Sequence, residues 1–167
     1  MTLRKIDKLE YKQRLSRIQW VLVAALFAIS LSLAELYRYL LVGGESNAWL
    51  NAAGVLTAAL LCSLVLYLGR NHSCMSDIVY IWRLKQALNK IYRRSKKIDA
   101  GIAKDQPDAI RIRYFSLHAS AYVYQLEDNT LTMPELNEQI DELNQQISRL
   151  GMMVSIDDYN SELLEQL

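Results

Sequence analysis

Cysteine is scarce in this sequence: Cys62 and Cys74 are the only two. A disulfide scaffold needs more of them at extracellular spacing, so both are expected as free thiols. Catalytic signatures are missing as well. There is no P-loop, no GxGxxG and no HExxH. His72-Ser73-Cys74 offers two metal ligands where a site needs three or four, and nothing nearby supplies the rest. A thiolate–imidazole pair of Cys74 with His118 has no identifiable orienting group. His118 itself falls among helix-core positions, as a packed or surface histidine does. An enzyme needs a converging nucleophile, base and oxyanion site, and none is legible. The expectation is a non-enzymatic chain with no catalytic residue, no metal site and no cofactor.

The net charge of +1 is also uninformative, because it averages opposed blocks. Residues 1–17 carry six Lys/Arg against Asp7 and Glu10. Residues 70–99 carry eight against Asp77 and Asp99, and residues 131–167 carry only Arg149 against eight acids. Between the basic blocks lie two apolar runs. Ile18–Leu41 reaches about 36 Å as a helix, and Ala48–Gly69 contains no charge at all. The hydrocarbon core of a bilayer is about 30 Å thick, so either run can span it. Gly43-Gly44-Glu45-Ser46-Asn47 is turn composition, and a connection this short requires an antiparallel hairpin. Ser32-Leu33-Ala34 imitates a signal-peptide cleavage site, but the basic stretch is long and helical character continues past Ala34.

Lys/Arg bias gives the orientation, since the connecting loop has no basic residue and both flanks are rich in them. Both termini are expected in the cytoplasm. Trp20 and Tyr67 then fall at the inner interface, and Tyr37, Tyr39 and Trp49 at the outer one. Small residues recur every four positions on each run: Ala24, Ala28 and Ser32, then Gly54, Ala58 and Cys62. Such stripes let membrane helices approach closely, and they are expected to pack against each other. Glu35 and Asn51 continue the two stripes. With Arg38 they form either a polar site in the membrane or, as favoured here, an interfacial Glu35/Arg38 pair with Arg38 snorkelling outward.

The rest of the chain reads as helices with heptad seams. One runs from near Ser76 to about Ala103 on Ile81, Leu84, Leu88, Ile91, Ile98 and Ile102, with Ser95 in the gap. A second, opened by Pro107, uses Ile110, Tyr114, Leu117, Ala121 and Tyr124. A third uses Leu136, Ile140, Leu143, Ile147 and Leu150. Thr132 and Glu135 make its expected capping box, and Gly151 its left-handed end. A short amphipathic tail covers roughly 157–167. The first helix is basic and the third acidic, so their faces can attract one another within the bundle or between subunits. Arg83, Lys90, Arg93, Arg94, Lys96 and Lys97, with Trp82, are candidates for partner or anionic-lipid contact. Nucleic acid binding would want more aromatics or a reading helix.

Tyr80-Ile81-Trp82-Arg83-Leu84-Lys85-Gln86, Asn89-Lys90-Ile91-Tyr92-Arg93 and Leu126-Glu127-Asp128-Asn129-Thr130-Leu131-Thr132 together resemble the signature of domain-of-unknown-function family 3087. The resemblance covers nearly the whole chain. It implies a bacterial inner-membrane protein and carries over no activity or binding residues.

The expected architecture is all-α: a basic segment at 1–17, a transmembrane hairpin at 18–69 (18–41, turn 43–47, 48–69), and a cytoplasmic antiparallel bundle or coiled-coil-like domain at 70–167. The expected function is that of a membrane-anchored scaffold that self-associates or binds a protein through its cytoplasmic helices. The alternative is a small homo-oligomeric channel or transport subunit with Glu35, Arg38 and Asn51 lining a vestibule.

Overall fold

A computed structural model describes residues 3–43 and 48–166, and among them every regular element is helical. The order is α1 (Lys8–Val42), α2 (Ala48–Gly69), a 3-10 turn (Ser73–Met75), α3 (Ser76–Tyr92), α4 (Ser95–Ile102), α5 (Pro107–Glu127), α6 (Met133–Arg149), a second 3-10 turn (Ile156–Asp158) and α7 (Ser161–Gln166). The described residues fall into two compact units. One is Leu9–Val79, and the other joins the residues up to Lys8 with those from Tyr80 onward.

In the first unit, α1 and α2 are long and apolar enough to cross a membrane. The helix of α1 begins at Lys8, so most of the basic segment is helical and extends beyond the apolar run. Of the turn expected at 43–47, Gly43 takes φ +63°, and 44–47 lie outside the described residues. The two helices run antiparallel: Gly54 meets Ser30 and Ala34, while Leu22 and Ala25 share a groove with Leu61 and Leu66.

In the second unit α5 is the central element. Ile110 and Leu117 on one stripe pack with Leu136 and Leu143 of α6, flanked by Tyr114, Ala121 and Tyr124. A second stripe on α5, with Ile112, Phe115, Ala119, Val123 and Leu126, is equally buried. So are Ile81, Leu84, Ile91 and Ile98 of α3 and α4. A helix apolar on two sides must be sandwiched, and α5 lies between α3/α4 and α6. Each fully buried Phe or Ile contributes about 1.5–3 kcal/mol relative to exposure.

Two local expectations need correction. The helix expected from Ser76 to Ala103 breaks at Arg93-Arg94, where Arg94 has φ −109° and ψ 13°. Arg94 N–H donates to Ile91 O, a tightened last turn, and the chain restarts as Lys97 and Ile98 both bond to Arg94 O. Crowded like charges at 93, 94, 96 and 97 and a serine in the seam at Ser95 favour a break there. The Thr132 capping box is not formed: Thr132 has helical dihedrals and its side chain caps nothing. A capping box is made instead by Ser155 and Asp158 at the second 3-10 turn. Pro107 does open α5, and Gly151 is left-handed at φ +63° after α6.

Candidate functional site

Three places gather polar or small side chains with few structural explanations: the hairpin seam, the N-terminal segment and the basic face of α3.

The hairpin seam differs from expectation on one side only. Gly54, Ala58 and Cys62 are the buried residues of α2. A Cβ on Gly54 would sit 2.9 Å from Ala34 N and 3.0 Å from Ser30 O, so glycine is required for this approach. Ala24, Ala28 and Ser32, however, are exposed. The face of α1 against α2 carries Leu22, Ala25, Ile29, Ser30, Leu33, Ala34 and Tyr37, all partly buried. α1 has two sets of small residues, offset by two positions, and close contact with Gly54 distinguishes Ser30 and Ala34 from the other set. Tyr37 Oη and Thr57 Oγ1, 3.1 Å apart, cross-link the pair, and Thr57 also donates to Ala53 O at 2.9 Å. Glu35 pairs with Arg38 on its own helix. Asn51 is exposed, and the polar trio Glu35, Arg38 and Asn51 is therefore an i,i+3 ion pair plus a separate amide.

Near the hairpin's other end, His72 Nδ1 lies 3.2 Å from Cys74 Sγ and accepts weakly from Cys74 N at 3.4 Å. Cys62 and Cys74 are free thiols, the first buried and the second exposed. No group of three metal-ligating side chains occurs among the described residues.

The N-terminal segment is anchored to the helical domain. Tyr122 Oη donates to Arg4 O at 2.7 Å and accepts from Ile6 N at 3.1 Å. Arg4 N donates to Tyr80 Oη at 3.0 Å, and the Arg4 guanidinium lies 5.6 Å from the Tyr80 ring centroid. Lys8 pairs with Asp128, which caps α5 in the left-handed region at φ 57°. Nothing in the periodicity announces this clamp, because it is built from hydroxyls at half-buried tyrosines. On the same face of α5, the His118 ring lies 4.3 Å from that of Tyr114, tilted by 47°. Its Nε2 is buried without a partner among the described residues, and burial lowers its pKa.

The α3 residues singled out by charge divide between two faces. Trp82 is 59% exposed. Lys85 turns to Glu127 of α5. Arg83, Lys90, Arg93 and Arg94 line a groove of about 780 Å³ whose other wall is the C-terminal segment, including Asp157, Tyr159 and Leu164. Arg94 Nη1 donates to the Leu164 carbonyl and ties the walls together. Tyr159 stacks on Phe115 at 4.1 Å and 9°, which fixes the second wall to α5, and burial raises its phenol pKa. Arg83, Lys90 and Arg93 make no ion pair among the described residues, and neither do Lys96 and Lys97. The attraction between basic α3 and acidic α6 within the bundle is thus not realised there. The α3/α4 side uses Glu127 and Arg113 of α5, and Arg149 of α6 pairs with Asp105.

No curated protein and no solved structure matches this chain. A family model described as protein of unknown function, DUF3087, matches residues 1–164. The chain therefore belongs to that family, domain-of-unknown-function family 3087.

Proposed function

We propose that the chain is a membrane-anchored, non-enzymatic interaction protein that self-associates through its hairpin. In this reading α1 and α2 cross a bacterial inner membrane, and both termini and the helical domain are cytoplasmic. The observation that carries self-association is the outward-facing stripe Ala24, Ala28 and Ser32. Lipid offers no hydrophobic drive for helix pairing, so close van der Waals packing of small residues supplies it. Within the chain that role falls to Gly54 against Ser30 and Ala34. The outward stripe has the same chemistry, and a second copy of α1 is the surface that matches it.

Anchoring is supported by the apolar groups that the hairpin exposes, among them Trp20, Leu31, Trp49, Leu60 and Val65. Contiguous apolar surface of this kind is rare on water-facing proteins and ordinary in lipid. The common side of the two ends is supported by the Tyr122 bonds to Arg4 and Ile6, and the cytoplasm by the Lys/Arg bias.

The test is disulfide trapping in the host membrane, in a background with Cys62→Ala and Cys74→Ala. Ala28→Cys is expected to give a covalent dimer on oxidation. Leu60→Cys, on the exposed face of α2, is expected to stay monomeric. Trapping at position 60 and none at position 28 would contradict the proposed seam.

A channel is the second reading. Glu35 lies on the same exposed side of α1 as Ser32, so copies joined there bring their Glu35/Arg38 pairs together. Ion flux in liposomes that is unaltered by Glu35→Gln and Arg38→Ala would exclude those residues from any pathway.

A further inference from the structure

We propose that the groove between α3 and the C-terminal segment binds a ligand bearing two phosphates, with the phosphates along α3 and its hydrogen-bond donors toward the opposite wall. Arg83 and Lys90 are two helical turns apart on one face, and Arg93 stands at the end of the same row. From residue 83 to residue 93 a helix rises about 15 Å. That row offers more cationic groups than one phosphate engages, and its long, flexible side chains can converge on two. Guanidinium groups match phosphate oxygens with paired hydrogen bonds, and lysine adds a point charge.

The cluster has a cost and no structural return. Lys90, Arg93 and Arg94 repel one another at helical spacing. Arg83, Lys90 and Arg93 form no ion pair among the described residues. Arg94 differs from the others in bonding to Leu164 O, which ties the two walls together. Cations kept together without partners, beside a cavity of ligand size, are the arrangement an anion completes.

The far wall narrows the ligand class. Asp157 and Glu165 line it, and neither has an ion pair among the described residues. Two carboxylates disfavour a bare anion deep in the groove and accept bonds from amine or hydroxyl groups. Two sources offer a pair of phosphates and hydroxyl donors together: a soluble nucleoside diphosphate, and a two-phosphate lipid headgroup such as that of cardiolipin. The inference does not depend on self-association through α1.

The experiment is calorimetric titration of ADP into the full chain in phosphatidylcholine nanodiscs, repeated in discs containing cardiolipin. Saturable one-to-one binding is expected in at least one form, as ADP heat or as cardiolipin retained by the protein in native mass spectrometry. Arg83→Gln with Lys90→Gln should weaken it by about tenfold or more, and Lys96→Gln with Lys97→Gln should leave it unchanged. ADP binding that cardiolipin does not affect identifies a soluble ligand; ADP binding that cardiolipin suppresses, or retention of cardiolipin alone, identifies the headgroup. Absence of ADP binding together with cardiolipin retention that is equal in the wild type and the Arg83/Lys90 variant would overturn the proposal. Trapping at Ala28→Cys is expected to survive in that variant, so the two proposals fail separately.

Discussion

The Tyr122 hydroxyl donates to the Arg4 carbonyl at 2.7 Å across 118 residues of sequence. Both candidate membrane spans lie between those two residues. In the proposed reading both cross the membrane, and two crossings return the chain to the side on which such a bond can form. The same hydroxyl accepts from Ile6 N, so one side chain holds the segment at two backbone positions.

Tyr122→Phe removes both bonds while keeping the ring. Each is worth about 0.5–1.5 kcal/mol net. Amide exchange at Ile6, followed by mass spectrometry on the full chain, should accelerate by about tenfold. Unchanged exchange would mean that Tyr80 and Lys8 hold the segment without Tyr122.

Gly54→Leu forces a side chain into the backbone of Ser30 and Ala34, where even a Cβ meets atoms at 2.9–3.1 Å. Overpacking of this kind costs about 1–3 kcal/mol, and separation of the helices also breaks the bond between Tyr37 and Thr57. The expected result is a lower melting temperature of the hairpin, read by circular dichroism in detergent, with the helical domain unaffected. Ala58→Gly, at a position with no exposed surface, is expected to be milder because it adds no volume.

His118 gives the helical domain a pH dependence of defined sign. Burial lowers its pKa below 6.5, so the folded state binds this proton less readily than the unfolded chain. Stability from this group is full above pH 6.5 and is lost as pH falls from there through the folded pKa. His118→Leu should flatten the slope of melting temperature between about pH 7 and pH 5 relative to wild type. Equal slopes in the two proteins would assign the dependence to the carboxylates.

Phe115→Ala removes a fully buried ring and the stack on Tyr159 together. Large-to-small changes of this type cost about 3–5 kcal/mol. The C-terminal wall of the groove should loosen before the rest of the domain, which protease cleavage near Tyr159 at a temperature below the main transition would reveal.

Much of this fold is readable from spacing alone. The apolar runs, the α5–α6 seam of Ile110, Leu117, Leu136 and Leu143, the proline at the start of α5 and the glycine after α6 follow from hydrophobic periodicity and local dihedral preference. The second stripe of α5 was obscured because two interleaved seams on one helix blur into general hydrophobicity. The break at Arg94 was hidden because the seam resumes in phase at Ile98. The choice between Ala24-Ala28-Ser32 and Ser30-Ala34 depends on which face meets Gly54, a tertiary fact. The basic half of the groove was visible as a charge run. Its other wall, with Tyr159 seated on Phe115, joins segments too far apart in sequence for any pattern to connect.

Native mass spectrometry of the full chain, released from its host membrane in lipid nanodiscs, tests self-association most directly. The expected result is one homo-oligomeric species that falls to monomer when Ala28→Leu fills the outward stripe of α1. A monomer in both proteins, or an oligomer indifferent to Ala28→Leu, would contradict it.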